Sequence, residues 1–207
     1  MHSLRPGFQT SQVFRLSAPE RIRLKTWLRG HPLELRFGQN DSGQSIVLIM
    51  ALLTEKMAIR AKYVHTNLIA RDWKRLVRFY REVFGCEPRG PERDLSAAWL
   101  DKVNSVPNVR LRGVHLRLPG YENDGPTLEI FSYDQFIERG LPKANECGFG
   151  HIAFAVDDVD KALEAVTAAG GSAVGEIATG EVKGAGLIRL VYARDPEGNI
   201  VELQKWS

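Results

Sequence analysis

Cysteine is nearly absent: the 207 residues contain two, Cys86 and Cys147. They lack the close spacing of a thiolate metal site and supply no disulfide framework, so a reducing, cytoplasmic setting is expected and Cys86 is read as a packing residue. Long apolar runs are missing too. The stretch IVLIMALL, Ile46 to Leu53, is too short to cross a membrane and too far from the N-terminus to serve as an ordinary signal peptide. Strong charge of one sign is also lacking, with 28 Lys and Arg against 25 Asp and Glu. Residues 1–56 hold eight Lys or Arg and four acids, a net of +4 that leaves −1 of the overall +3 for the remainder. The remainder therefore carries no footprint for nucleic acid.

What is present is enough apolar content, 43%, to bury a core, and an internal repeat. HTNLIARDWKRLVRFYREVFG from His65 aligns without a gap on HIAFAVDDVDKALEAVTAAGG from His151. Each copy opens with a short strand, continues with an aspartate, Asp72 or Asp158, suited to cap a helix, and then draws an apolar stripe at helical spacing. Gly85 and Gly171 are expected to supply the left-handed residue that ends each helix. Strands are expected around 97–100, 109–118 and 127–133 in one copy, and 173–177, 187–193 and 200–203 in the other.

After each helix the copies match again, as GPTLEIFSY from Gly125 and GNIVELQKW from Gly198. Each places a glutamate, Glu129 or Glu202, inside a strand-like run, where a carboxylate is costly unless paired or bound to a cation. One histidine and one glutamate from each copy form a constellation: His65, Glu129, His151 and Glu202. Imidazole nitrogen with carboxylate oxygen suits a divalent zinc, nickel, iron, cobalt or manganese ion, one per site. In the alternative reading the glutamates pair with Arg110, Arg112 or Arg189, and the histidines merely cap strands. His115 is either an acid or base pointing into the cleft or, more simply, an ordinary strand histidine.

This paired pattern resembles the vicinal oxygen chelate superfamily, which includes glyoxalase I, over Ala58 to Trp206. The motifs are HTNL, FYREVFG and LEIFSY in the first half, and FGHIAFAVDD, GEVKGAG and DPEGNIVELQ in the second. The resemblance implies an α+β fold of two paired βαβββ modules, residues 61–135 and 148–206, forming a curved mixed sheet with a metal-centred cleft. It places the family's four metal positions on His65, Glu129, His151 and Glu202, and implies a homodimer, because in many relatives the modules pair between chains. The leader, 1–57, matches nothing in the repeat and is read as a flexible extension or a non-native upstream start, with Met57 as the natural beginning.

The resemblance further implies a metal-dependent lyase or isomerase acting on a small oxygen-chelating substrate through a metal-stabilised enediolate, with Glu202 or Glu129 as general base. Relatives that use glutathione carry an arginine four residues after the first histidine and an asparagine four residues after the first glutamate. Here those positions are Ile69 and Tyr133. Tyr133, Lys183 in the kept VKGAG loop, and Arg112 are the substrate-binding candidates. The alternatives within the superfamily are an Fe(II) extradiol dioxygenase using His65, His151 and Glu202, and a non-catalytic drug-binding protein with an aromatic groove. Neither nucleic acid nor membrane is expected as a partner.

Overall fold

The computed structural model describes residues 59–207, together with the backbone of Ile22–Leu28 and His31–Phe37. The chain divides into two units, Met1–Ala61 and Lys62–Ser207. In the first, β1 (Ile22–Leu28) and β2 (His31–Phe37) pair antiparallel, from Leu28 opposite His31 to Ile22 opposite Phe37. The expectations for residues 1–57 otherwise lie outside the described residues.

The second unit contains two successive modules. The first runs β3 (His65–Ile69), α1 (Trp73–Phe84), β4 (Glu87–Leu95), α2 (Ala98–Asn104), β5 (Leu111–Arg117) and β6 (Thr127–Tyr133). Its strands lie in the order β3-β6-β5-β4, with β3 and β6 parallel and the other pairs antiparallel. The second runs β7 (Ile152–Ala155), α3 (Val159–Ala168), β8 (Ser172–Ala173), β9 (Ala178–Val182), β10 (Gly186–Arg194) and β11 (Ile200–Trp206). Its order is β7-β11-β10-β8, β9 pairs with β10, and β7 and β11 are parallel. The expected pair of βαβββ modules is thus present.

Local chemistry explains the helices. Asp72 accepts the N–H of Arg75 at 3.0 Å and Asp158 that of Lys161 at 3.1 Å, so each side chain satisfies a first-turn donor that has no partner inside the helix. Gly85 closes α1 at φ 69°. The matching expectation for Gly171 is corrected: α3 stops earlier, and the left-handed residue is Gly170, at φ 89°. Gly171 is required for a different reason, since a Cβ there would lie 2.3 Å from the Arg194 carbonyl oxygen. Residues 97–100 are also corrected. They open the helix α2, with Ala97 extended before it, and the strand expected there is β4, whose charged EPRGPERDL is exposed along nearly its whole length.

One core serves both modules. Leu68, Val114, Leu116, Leu128 and Ile130 of the first sheet, with Leu76, Phe79 and Tyr80 of α1, join Phe154, Val191, Val201 and Leu203 of the second sheet and Val166 of α3. Each helix packs on its own sheet and the two helices touch, so the layers run sheet, helix, helix, sheet. Phe84 stacks on Phe154 across the modules, with centroids 4.0 Å apart and planes 11° apart. By strand alternation, the other face of each sheet is turned away from this core.

A buried polar link crosses the same boundary. Tyr80 donates to Asp195 Oδ2 at 3.0 Å, and Asp195 also accepts from the backbone of Glu197 and Asn199 and from the Asn199 side chain. Burial pushes both the Tyr80 phenol and the Asp195 carboxyl above their ordinary values, and these hydrogen bonds oppose the rise at Asp195. Tyr80→Phe removes one donor from a buried carboxyl. It is expected to lower unfolding stability by about 1–3 kcal/mol, read as a lower urea midpoint at unchanged slope.

Candidate metal centre

The outward faces carry the repeat-matched residues. On the first sheet, register places Asn67, Glu129 and His115 in one row across β3, β6 and β5, with His65 diagonal to Glu129. His65 Nε2 lies 3.4 Å from Glu129 Oε2, and Asn67 donates to the same oxygen at 2.8 Å. His115 Nε2 lies 2.7 Å from Glu129 Oε1, without the alignment of a hydrogen bond, and its Nδ1 is 3.0 Å from Thr127 Oγ1. The Glu129 side chain is only 15% exposed. One donor atom each from His65, His115 and Glu129 fall within 4.8 Å of one another.

On the second sheet, His151 stands immediately before β7, and its Nε2 is 3.0 Å from Glu202 Oε2. The Glu202 side chain is 11% exposed. Tyr192 lies opposite Glu202 in register, with its ring centroid 5.0 Å from that of His151. Burial and the Glu202 carboxylate together raise its phenol above the ordinary value.

The structure therefore brings the four residues together as two pairs, His65 with Glu129 and His151 with Glu202. Among the described residues, the group of at least three possible donors is His65, His115 and Glu129, and the second pair is not part of it. The two pairs stand on separate sheets, and among the described residues the fold does not join them into one donor group. The pairing of the glutamates with Arg110, Arg112 or Arg189 is not found. Arg110 holds Asp94 at 2.7 Å, Arg112 holds Asp134, and Arg189 holds Asp160 at 2.8 Å.

Of the substrate-binding candidates, Tyr133 is on the Glu129 face of β6, where it packs beside Phe131 and Leu111. Lys183 is exposed in the turn between β9 and β10. Arg112 is on the face of β5 opposite His115. Two residues that repeat matching did not single out now belong to the centre. Asn67 sits two positions after His65, and His115 shares its register position with Glu129, a relation visible only once strand pairing is known.

The donor set fits a divalent ion. A buried imidazole nitrogen with no hydrogen-bond partner, beside a carboxylate and a second imidazole, is an arrangement that a cation completes. Cys86 offers no alternative donor: it is buried and its thiol is pushed up to about 12, so it stays protonated. His115 is held below its ordinary 6.5, chiefly by burial, with Arg93 and His65 adding to the effect and Glu129 opposing it. A histidine whose folded value lies below its unfolded one takes up its proton first in the unfolded chain. Its contribution to stability is therefore present above about 6.5 and lost as pH falls. In metal-free protein, NMR titration of the ring nitrogens is expected to place His115 below 6.5, and lower still in Glu129→Gln.

Comparison with known proteins agrees with this architecture. The Glyoxalase/Bleomycin resistance protein/Dioxygenase superfamily model matches residues 62–203. A Vibrio parahaemolyticus protein described as "Probable lactoylglutathione lyase" is 31% identical over 144 residues, 69% of this chain and 88% of that protein. The Haemophilus influenzae lactoylglutathione lyase is 28% identical over 67% of this chain and 88% of its own length. The chain spans less than half of the matched plant relatives, 43% for the Arabidopsis thaliana lactoylglutathione lyase, which is 29% identical. A glyoxalase family protein from Bacillus cereus shares the fold, with a TM-score of 0.62 at 16% identity over 72% of this chain and 97% of that one. A matched model covering most of the chain, the paired modules and the repeated His–Glu pairs together show that the protein belongs to the glyoxalase/bleomycin resistance protein/dioxygenase superfamily.

Proposed function

We propose that the protein is a divalent-metal-dependent lyase or isomerase of the lactoylglutathione lyase type, with each site shared between two copies of the chain. The observation that carries this reading is the division of the donors into two His–Glu pairs on separate sheets, each on the face turned away from the core. A second chain whose second sheet lies beside the first sheet of its partner unites His65 and Glu129 of one copy with His151 and Glu202 of the other, and a two-fold axis builds that site twice. Exposed apolar residues accompany the pairs: Ile69 on β3 and Val182 on β9. The names of the relatives support lyase chemistry over the dioxygenase and drug-binding alternatives.

A bound divalent cation supplies Lewis acidity to two substrate oxygens and lowers the cost of removing a proton from the neighbouring carbon. The side chains divide the remaining work. Glu129 is tethered by Asn67 and flanked by His115 and His65, whereas among the described residues Glu202 has His151 as its near partner, with Tyr192 alongside. The freer Glu202 takes the proton from one face of the substrate, and Glu129 serves the opposite face. Tyr133 and Lys183 contact the remainder of the substrate. Ile69 and Tyr133, at the positions where an arginine and an asparagine bind glutathione in relatives, favour a thiol adduct other than the glutathione one.

Complementation tests the shared site. Chains carrying His65→Ala and Glu129→Gln are mixed, with nickel or zinc present, with chains carrying His151→Ala and Glu202→Gln, and hemithioacetal turnover is followed. Each variant alone is expected to be inactive, and the hybrid dimer regains one intact site of two. No recovery in hybrids verified by mass spectrometry would show that the site is not shared. In the unmixed protein, Glu202→Gln is expected to lower kcat by about 10²–10⁴-fold, and Glu129→Gln by less.

A further inference from the structure

A cavity lies beside the group of His65, His115 and Glu129, at the end of the first sheet where β3 and β6 begin. It has a volume of about 380 Å³ and is lined by Lys62, Arg89, Arg93, His115, Asp124 and Thr127, among others. Its shape derives from an irregularity in β4. Arg89 pairs with His115 and Arg93 with Gly113, so four steps along β4 oppose two along β5. Gly90, at φ 79°, lies in this bulge. The two additional residues preserve side-chain parity, so both arginines project on the face that carries His115 and Glu129. The bulge also sets Arg93 opposite a glycine, where no side chain blocks it from the Glu129 row.

The cations of this cavity are unequally occupied. Lys62 reaches the Asp124 carbonyl at 3.3 Å and its carboxylate at 3.8 Å. Arg89 donates from Nη1 to the Gly125 carbonyl at 3.2 Å. Arg93, 46% exposed, stands 3.9 Å from Glu129 Oε1, beyond hydrogen-bond length, and makes no hydrogen bond among the described residues. Of the other β4 charges, Glu87 holds Arg117, Asp94 holds Arg110 on the opposite face, and Glu92 is exposed and does not line the cavity. Three cationic side chains thus face one lining carboxylate, at the rim of a centre suited to a divalent cation. A divalent cation held there would add positive charge and engage Glu129, leaving Asp124 as the one carboxylate in the lining. An oxyanion in the cavity offsets that charge, and a guanidinium fork fits carboxylate and phosphate oxygens in pairs.

We propose that the cavity between Arg89, Arg93 and His115 is an oxyanion subsite, binding a carboxylate or phosphate at the end of the substrate remote from its metal-chelating oxygens. The assignment rests on the proposed function only for the chelating end. The anion site itself depends on the geometry of β4.

The test titrates succinate and, separately, inorganic phosphate into the full chain at low ionic strength without added metal, so that side chains are the only cations present. Arginine Nε–Hε resonances are followed by NMR in the unaltered protein and in Arg93→Gln, Arg89→Gln and Arg110→Gln. Saturable binding, weakened about tenfold by Arg93→Gln or Arg89→Gln and unchanged by Arg110→Gln, is the expected result. Preference for succinate or for phosphate identifies which oxyanion the subsite serves. No saturable binding, or binding insensitive to both β4 variants, overturns the proposal. In the metal-loaded protein, the hemithioacetal of methylglyoxal with mercaptoacetate is then expected to show a lower KM than that with 2-mercaptoethanol, and Arg93→Gln should abolish that difference in KM. Failure of both hemithioacetals to turn over, with the anion titration intact, would count against the proposed function and leave the subsite standing.

Discussion

Everything at the candidate centre depends on the core that the two modules share. Phe84 of α1 stacks on Phe154 of β7, and Tyr80 donates to Asp195 beyond β10, so the helices of both repeats are held back to back. Once their apolar stripes are buried against each other, each sheet has only its other face left to offer. Strand alternation then decides which residues appear there. The histidines and glutamates lie at positions of opposite parity to Leu68, Leu116, Ile130, Val201 and Leu203, and so they face outward. The same burial that stabilises the chain divides its donors into two halves.

Each half also solves an electrostatic problem. A carboxylate in the middle of a strand loses hydration, and the neighbouring strands must replace what water supplied. For Glu129 they provide the Asn67 amide, two imidazoles and, more distantly, Arg93. Glu202 has a smaller set, His151 and the ring of Tyr192 beside it. The modules have thus diverged from symmetry at the centre, and the first half holds both the larger donor group and the cationic cavity.

Repetition made much of this legible. The aspartate caps of α1 and α3, the apolar stripes and the identity of the His–Glu pairs follow from matching one segment to another, because capping and amphipathic periodicity are local effects. Legibility failed where local signals are weak. β4 is an exposed edge strand, so its sequence has no apolar alternation to reveal it. The short apolar run at 97–100 is too brief to distinguish strand from helix, and it became α2. Gly171 was expected at a helix end, yet close approach to the Arg194 carbonyl explains it, a contact with a strand distant in sequence.

By itself, the sequence determined the two-module order, the helix starts and which four side chains correspond between repeats, since these depend on neighbours along the chain. Tertiary structure alone decided that His115 and Asn67 join Glu129, that Arg89 and Arg93 share their face, and that the two pairs stand on separate sheets. The first two depend on register across strands, and the second depends also on the two-residue bulge in β4. The third depends on which strands pair into which sheet, a choice made by contacts between residues far apart in the chain.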